Sequence, residues 1–344
     1  MNMCSLFGWL DYQGIVPYRI KKKLTQALAN TAEERGTDAA GISYVHGKDV
    51  VIFKRPKPAH KLHFSIPECT VAVMGHTRMT TQGDEKHNYN NHPFPGLAGD
   101  TAFAFAHNGV LWNDRELRKD KLIPDTHIET DSYAACQLIE TQGKLDFDSL
   151  KYMAETVEGN FTFTVLDDNN SLYIVKGSNP MCLLHFKDIG LYVYASTESI
   201  MKAALRKIGL HKFAHERVET DEGDILRIDK NGEITRSEFE PKLYRSKYMS
   251  WYDDSSYYNI HEEILLAYCG CYGVDSEDVE LLLEYGYTCD EIEEMLMDTN
   301  LLHEALRDVK YMLGEDVYES YCGVKDAFVK VASHSGGLFH FGSD

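Results

Sequence analysis

No apolar run in the 344 residues approaches the ~18 to 20 needed to cross a bilayer. The opening stretch, MNMCSLFGWLDYQG, lacks the basic start, long apolar core and small-residue cleavage site of a secretory signal. Membrane association and export are therefore not expected, and a cytoplasmic address follows. The cysteines Cys4, Cys69, Cys136, Cys182, Cys269, Cys271, Cys289 and Cys322 never fall into the paired CxxC spacing of a zinc ribbon, so most read as buried thiols. There is no GxxxxGK[ST], no GxGxxG behind a strand, no internal repeat and no low-complexity block. Positive charge is also scarce, with 35 Lys and Arg against 54 Asp and Glu, a formal net charge of -19. The imbalance is concentrated after residue 243, where 6 basic residues face 21 acidic ones. Such a surface repels phosphate backbones, so nucleic acid and anionic membranes are not expected partners. Solubility is the plainer reading of the acidity, ahead of a basic protein partner.

What is present suffices for a large core, since 43% of residues are hydrophobic and the length suggests roughly two domains. Short runs rich in β-branched and aromatic residues recur through the first part: AGISYV, DVVIFK, TVAVMG, TAFAFAH, FTFTVLD, SLYIVKG, MCLLHF, LYVYAS and DILRI. Between them, residues 17–30, 131–142 and 198–208 carry apolar side chains at helical spacing. DKNG at 229–232 has the spacing of a tight hairpin. The whole reads as α+β with an antiparallel sheet. From about Tyr244 the composition changes: 12 of the 21 tyrosines lie there, and strand character gives way to helical periodicity. Asp275 or Ser276 is a candidate cap, Gly286 and Gly314 are candidate stops, and the end from Ala332 reads as frayed. The expected division is a domain at 1–243 and an acidic, Tyr-rich helical domain at 244–344, read as a packing appendage ahead of a partner-binding surface.

Chemistry enters with Cys4. An α-amine has an intrinsic pKa near ~7.7 to 8.0, so a cysteine that led its chain would carry its own base. By itself a near-terminal cysteine is more often a buried thiol. Its company is more specific: RGTDAAG (35–41), GHTRMTTQG (75–83), AHNGV (106–110) and ETDS (129–132), each at the edge of an expected strand or helix. This ordered set resembles the glutaminase domain of class II glutamine amidotransferases, members of the N-terminal nucleophile hydrolase superfamily, over residues 4 to about 240. The resemblance implies a four-layer αββα sandwich of two antiparallel sheets, here followed by the small helical domain. It also implies a catalytic Cys4, an oxyanion hole from the Asn108 side chain and the Gly109 N–H, and glutamine binding by Arg78, Thr81 and Asp131, with Arg35 supporting the catalytic terminus.

Physical chemistry is consistent with those assignments. Glutamine is a zwitterion with a neutral amide, so a selective pocket needs a cation, an anion and a nucleophile at the amide carbon. Arg78 offers the two-pronged grip on a carboxylate, and Asp131 would answer the ammonium. Each residue also has a plainer reading: a surface ion pair for Arg78, a helix N-cap for Asp131, a turn after a strand for Asn108 and Gly109, a loop-carbonyl anchor for Arg35. His76 and His107 read as structural, and residues 88–93 as the flexible loop that lids the glutamine site in relatives.

Ser5 and Leu6 depart from the family's usual Gly and Ile or Val after the nucleophile. Met1-Asn2-Met3 precedes Cys4, and translation from Met3 is the expected remedy, ahead of removal of a short propeptide or an idle site. The expected function is cleavage of the glutamine side-chain amide to glutamate and ammonia. The half-reaction calls for no metal or organic cofactor, and the ammonia would pass to an acceptor or synthase protein in trans. The alternatives are hydrolysis of another γ-glutamyl amide or peptide, and a glutamine- or partner-binding module without turnover. Nothing in the sequence sets the oligomeric state.

Overall fold

The computed structural model describes residues 4–241 and, beyond them, 265, 266, 269, 274–285, 287, 289–297 and 299–312. Residues 1–3, the candidate stops Gly286 and Gly314, and the end read as frayed lie outside the described residues. The chain divides into two compact units, Met1–Ser246 and Lys247–Asp344. No helix among the described residues is long and apolar enough to cross a membrane.

The strands of the first unit are β1 (Ser5–Asp11), β2 (Ala39–His46), β3 (Asp49–Arg55), β4 (Ala72–Arg78), β5 (Phe94–Ala98), β6 (Thr101–Leu111), β7 (Gly159–Asp167), β8 (Leu172–Lys176), β9 (Cys182–Phe186), β10 (Leu191–Ala195), β11 (Glu216–Arg217), β12 (Asp224–Ile228) and β13 (Ile234–Glu238). Its helices are α1 (Tyr18–Ala32), α2 (Asp114–Lys119), α3 (Ser132–Thr141), α4 (Phe147–Thr156) and α5 (Glu198–Ile208). Seven strands form one sheet in the order β11-β9-β10-β1-β4-β2-β3, and six form a second in the order β13-β12-β8-β7-β6-β5. Every pairing is antiparallel.

Alternation along the strands builds the layers, because successive side chains leave opposite faces of a sheet. In β1, Phe7 and Trp9 join the buried cluster that contains Leu24 and Leu28 of α1 and Met201 and Leu205 of α5. Leu6 and Leu10 point the other way and meet Ala104 and Ala106 of β6, Leu166 of β7 and Ile174 of β8 between the sheets. In β6, Phe103 and Phe105 face outward to Leu138 and Ile139 of α3 and Leu150 and Met153 of α4. The result is the four-layer αββα sandwich, with α1 and α5 on one outer face and α3 and α4 on the other. Burying each of these large side chains contributes about 1.5–3 kcal/mol.

Residues 5–11, assigned no strand in the sequence, form a central strand with all seven residues buried. Gly8 obscures the pattern there, and the packing requires it: a Cβ would stand 2.2 Å from the Val73 carbonyl oxygen. β5 is likewise hidden by Pro95 and Gly96, which an edge strand tolerates. The DKNG hairpin forms, with the Asp229 N–H donating to the Glu233 carbonyl (3.0 Å) and Gly232 at φ +82°. In the second unit, α6 (Ser276–Tyr285), α7 (Cys289–Met297) and α8 (Thr299–Met312) pack around Val279, Leu282, Ile292, Leu302 and Val309. The Asp275 carboxylate receives the Glu277 N–H (3.2 Å) at the start of α6. Of the described cysteines, five are buried and Cys69 is exposed.

Candidate active site

One end of the sandwich gathers nearly all the singled-out residues. Cys4 lies at the start of β1, which is paired on both sides, by β10 and by β4. The register Ser5↔Thr77 puts Cys4 opposite Arg78 at the end of β4. Cys4 is buried, with its Sγ 3.5 Å from the Met79 carbonyl oxygen. Burial pushes the thiol up to about 11; the bond to Met79 and the charges of Arg78 and Arg35 pull it down, and Asp131 pushes it up. Those influences place the two arginines and the aspartate within electrostatic reach of the sulfur.

Arg35 sends its Nε to the carbonyl of Cys4 itself, at 3.2 Å. Two other residues of the RGTDAAG motif hold the chain that leaves Arg78. Gly36 lies so close that a Cβ would sit 2.5 Å from the Arg78 carbonyl carbon. The Asp38 N–H donates to the Arg78 carbonyl (3.0 Å), and its carboxylate receives the Thr80 N–H (2.8 Å).

The Arg78 guanidinium is buried and held on one side by the following loop: Nη1 donates to Asn91 Oδ1 (2.6 Å), and Nη2 to the carbonyls of Gln82 (2.5 Å) and Gly83 (3.1 Å). Guanidinium has five N–H donors, so this clamp fixes the fork and leaves donors over. Burial lowers its pKa, while the negative charges of Cys4, Asp131, Glu85 and Asp38 raise it. Thr81 is an exposed residue of the loop that follows β4.

Asp131 immediately precedes α3, but its side chain does not cap that helix. Instead Oδ2 accepts the Leu111 N–H at the end of β6 (2.6 Å), and Oδ1 is 3.4 Å from the Ser132 hydroxyl. Burial raises this carboxyl's pKa, opposed by the bonds from Leu111 and Ser132.

Asn108 and Gly109 belong to β6 itself and not to a turn beyond it. Gly109 adopts φ +142°, and a Cβ there would lie 1.9 Å from the Asn160 carbonyl oxygen, so glycine is needed. Asn108 is fully buried. Its carbonyl accepts from Asn179 Nδ2 (2.8 Å), and its side chain meets Ser196 Oγ (3.4 Å), which also receives the Leu6 N–H (2.8 Å). Neither Asn179 nor Ser196 carries a local signal: each is a lone polar residue brought in by the other half of the fold.

His76 and His107 are buried beneath this end, and burial drives each down to about 3. His76 Nε2 donates to the His107 carbonyl (2.8 Å), and the His92 ring stacks on His76 with centroids 4.1 Å apart. Residues 90–93, expected in a flexible lid, are buried. Asn90 and Asn91 are bonded to Glu129, Asp84, Glu85 and Arg78, so these polar side chains pin the segment down.

Residues 3–193 match the family model described as glutamine amidotransferases class-II. Among curated proteins, the chain is 30% identical over 188 residues to a glutamine–fructose-6-phosphate aminotransferase (isomerizing) of Staphylococcus epidermidis, covering 52% of this chain and 30% of that protein. It is also 30% identical over 194 residues to the Staphylococcus aureus enzyme of the same name, covering 53% and 30%. The chain thus matches less than a third of the length of these relatives. Among solved structures, the glutamine phosphoribosylpyrophosphate amidotransferase of B. subtilis, in complex with ADP and GMP, superposes with a TM-score of 0.54 at 18% identity, covering 79% of this chain and 59% of that one. That likeness concerns the fold. With more than half its length matched by the family model and the motif residues assembled at one end of the expected sandwich, the chain belongs to the class II glutamine amidotransferases.

Proposed function

We propose that the first unit hydrolyses the side-chain amide of L-glutamine through Cys4 and passes ammonia to an acceptor or synthase protein in trans. The observation that carries this reading is the register that sets Cys4 opposite Arg78, with the Asn108 amide joined to the same strand through Ser196. A thiol held near 11 is ionised to only about one part in 10⁴ at pH 7, so attack requires a base. The α-amine of Cys4 is that base, which requires Cys4 to lead the mature chain.

The amine takes the thiol proton as sulfur bonds to the amide carbon, and the carbonyl electrons move onto oxygen. Asn108 and the Gly109 N–H stabilise that oxyanion; one such donor is typically worth ~2.7 to 4 kcal/mol. The oxyanion collapses, the C–N bond breaks, and the nitrogen leaves as ammonia with the proton the amine had held. Water, losing a proton to the same amine, then attacks the γ-glutamyl thioester and releases glutamate and the free thiol. Arg78 and Thr81 hold the α-carboxylate, Asp131 holds the α-ammonium, and Arg35 fixes the Cys4 carbonyl.

The test joins intact-mass determination of the purified protein to glutamate release from glutamine. A chain beginning at Cys4 that releases glutamate, with the activity abolished in Cys4→Ala, is the expected result. Turnover by a chain that retains residues upstream of Cys4 overturns the amine as base. Release of glutamate from a γ-glutamyl peptide, with free glutamine untouched, overturns the substrate.

A further inference from the structure

Resting on the proposed glutamine hydrolysis, we infer that Ser196 is a positioning residue that turns the Asn108 side-chain amide so that its NH₂ group faces the reacting carbonyl oxygen.

The argument is one of hydrogen-bond capacity. Ser196 is fully buried at the end of β10. A serine hydroxyl has one proton to give and two lone pairs. One lone pair takes the Leu6 N–H at 2.8 Å, and the Ser196 N–H donates back to the Leu6 carbonyl at 2.9 Å. These two bonds extend the β1–β10 ladder to within two residues of Cys4. The remaining contact of the hydroxyl is with the Asn108 amide. When Nδ2 faces Ser196, the bond is long, at 3.4 Å, and Oδ1 is buried with no partner. A buried amide oxygen left unpaired is destabilising. In that orientation the hydroxyl receives two donors, and among the described residues no other acceptor takes its proton.

A half-turn about the last side-chain torsion exchanges the amide oxygen and nitrogen, which gives the oxygen a donor and the hydroxyl proton an acceptor and leaves the NH₂ for a ligand oxygen. Ser196 then donates its proton to Oδ1 while still accepting from Leu6. The NH₂ moves to the buried position that has no protein acceptor. Two donors waiting there for an oxygen are what a developing oxyanion requires, whereas Oδ1 in the same place would repel it. One hydroxyl thus links the strand bearing the nucleophile to the orientation of the donor that serves the other end of the same reaction. The second polar neighbour, Asn179, acts on the Asn108 backbone carbonyl and leaves the side-chain orientation to Ser196.

The experiment is a double-mutant cycle on the full chain, comparing wild type, Ser196→Ala, Asn108→Ala and the double variant. kcat and KM are measured by glutamate release from glutamine, with Tm recorded for each. Ser196→Ala should lower kcat about 10- to 50-fold, part of the loss expected for removing an oxyanion donor, and leave KM within about twofold. In the Asn108→Ala background the same substitution should lower kcat by less than about threefold, because the amide it orients is gone. A kcat for Ser196→Ala within twofold of wild type overturns the inference. So does an equal fold-loss in both backgrounds, which would assign Ser196 to packing of β1 alone. Failure of the proposed function looks different: wild type itself would release no glutamate, and an electrophilic glutamine analogue would not label Cys4.

Discussion

In the proposed function Arg78 is a single residue used twice. Three of its donor contacts go to Asn91, Gln82 and Gly83, and they hold the fork in place before any ligand arrives. A charge-assisted hydrogen bond contributes about 1.5–3 kcal/mol. Arg78→Ala should therefore raise KM for glutamine by about 10- to 100-fold, with a smaller effect on kcat, in steady-state glutamate release. Arg78→Lys should recover little of this, because an ammonium keeps the charge but not the planar fork. At this scale the sequence was most legible where motifs are contiguous: Cys4, Arg78, Asn108, Gly109 and Asp131 all meet at one end of the sandwich. It was silent on Ser196, whose partner Leu6 is 190 residues away, since no local pattern distinguishes a serine that will reach across the fold. Thr81, which the resemblance singled out, is exposed, while the neighbouring Thr80 Oγ1 is buried without a partner.

Among the elements, strands whose faces alternate or are wholly apolar were readable, and those interrupted by glycine or proline were not. β1 was missed because Gly8 breaks a run whose close packing demands it, and β5 because Pro95 and Gly96 mimic a turn. α4 was missed for a different reason: its start signal is an Asp paired with a Ser, not the commoner Ser or Thr with a Glu. The Asp146 carboxylate receives the Ser149 N–H (2.9 Å), and the Asp146 N–H donates to the Ser149 hydroxyl (3.0 Å). Asp146→Ala removes half of this reciprocal cap and should cost about 1 kcal/mol, read as a lower urea midpoint at unchanged slope. Asp146 lines a pocket with Thr101, Asp167 and Asn169, at the other end of the β6–β7 pairing from Asn108, so the loss should appear in stability with kcat unaffected.

At the scale of the whole first unit, three buried histidines oppose stability toward acid pH. His76 and His107 are held at about 3, and His92 well below its ordinary value, in each case first by burial. An imidazole whose folded pKa lies below its unfolded value near ~6.5 favours the native state at higher pH, and that contribution is lost as pH falls below ~6.5. Three such groups take up three protons on unfolding, a limiting slope of about 4 kcal/mol per pH unit. Urea titrations between pH 7 and pH 5 should show stability falling ever more steeply toward acid. A flat profile would mean that these rings accept protons without unfolding. The αββα architecture itself was legible only through the resemblance, because alternation reveals that a strand has two faces but not what covers each.

The position of β1 has a consequence for how the molecule fails. Flanked by β10 and β4 and buried along its whole length, it should be the last segment to admit deuterium at its amides, long after the β12–β13 rim has exchanged. Partial loosening from that rim would leave the sulfur still in register with its arginine. Catalytic competence would then vanish in the same cooperative step as the fold, which makes residual activity a faithful count of intact molecules.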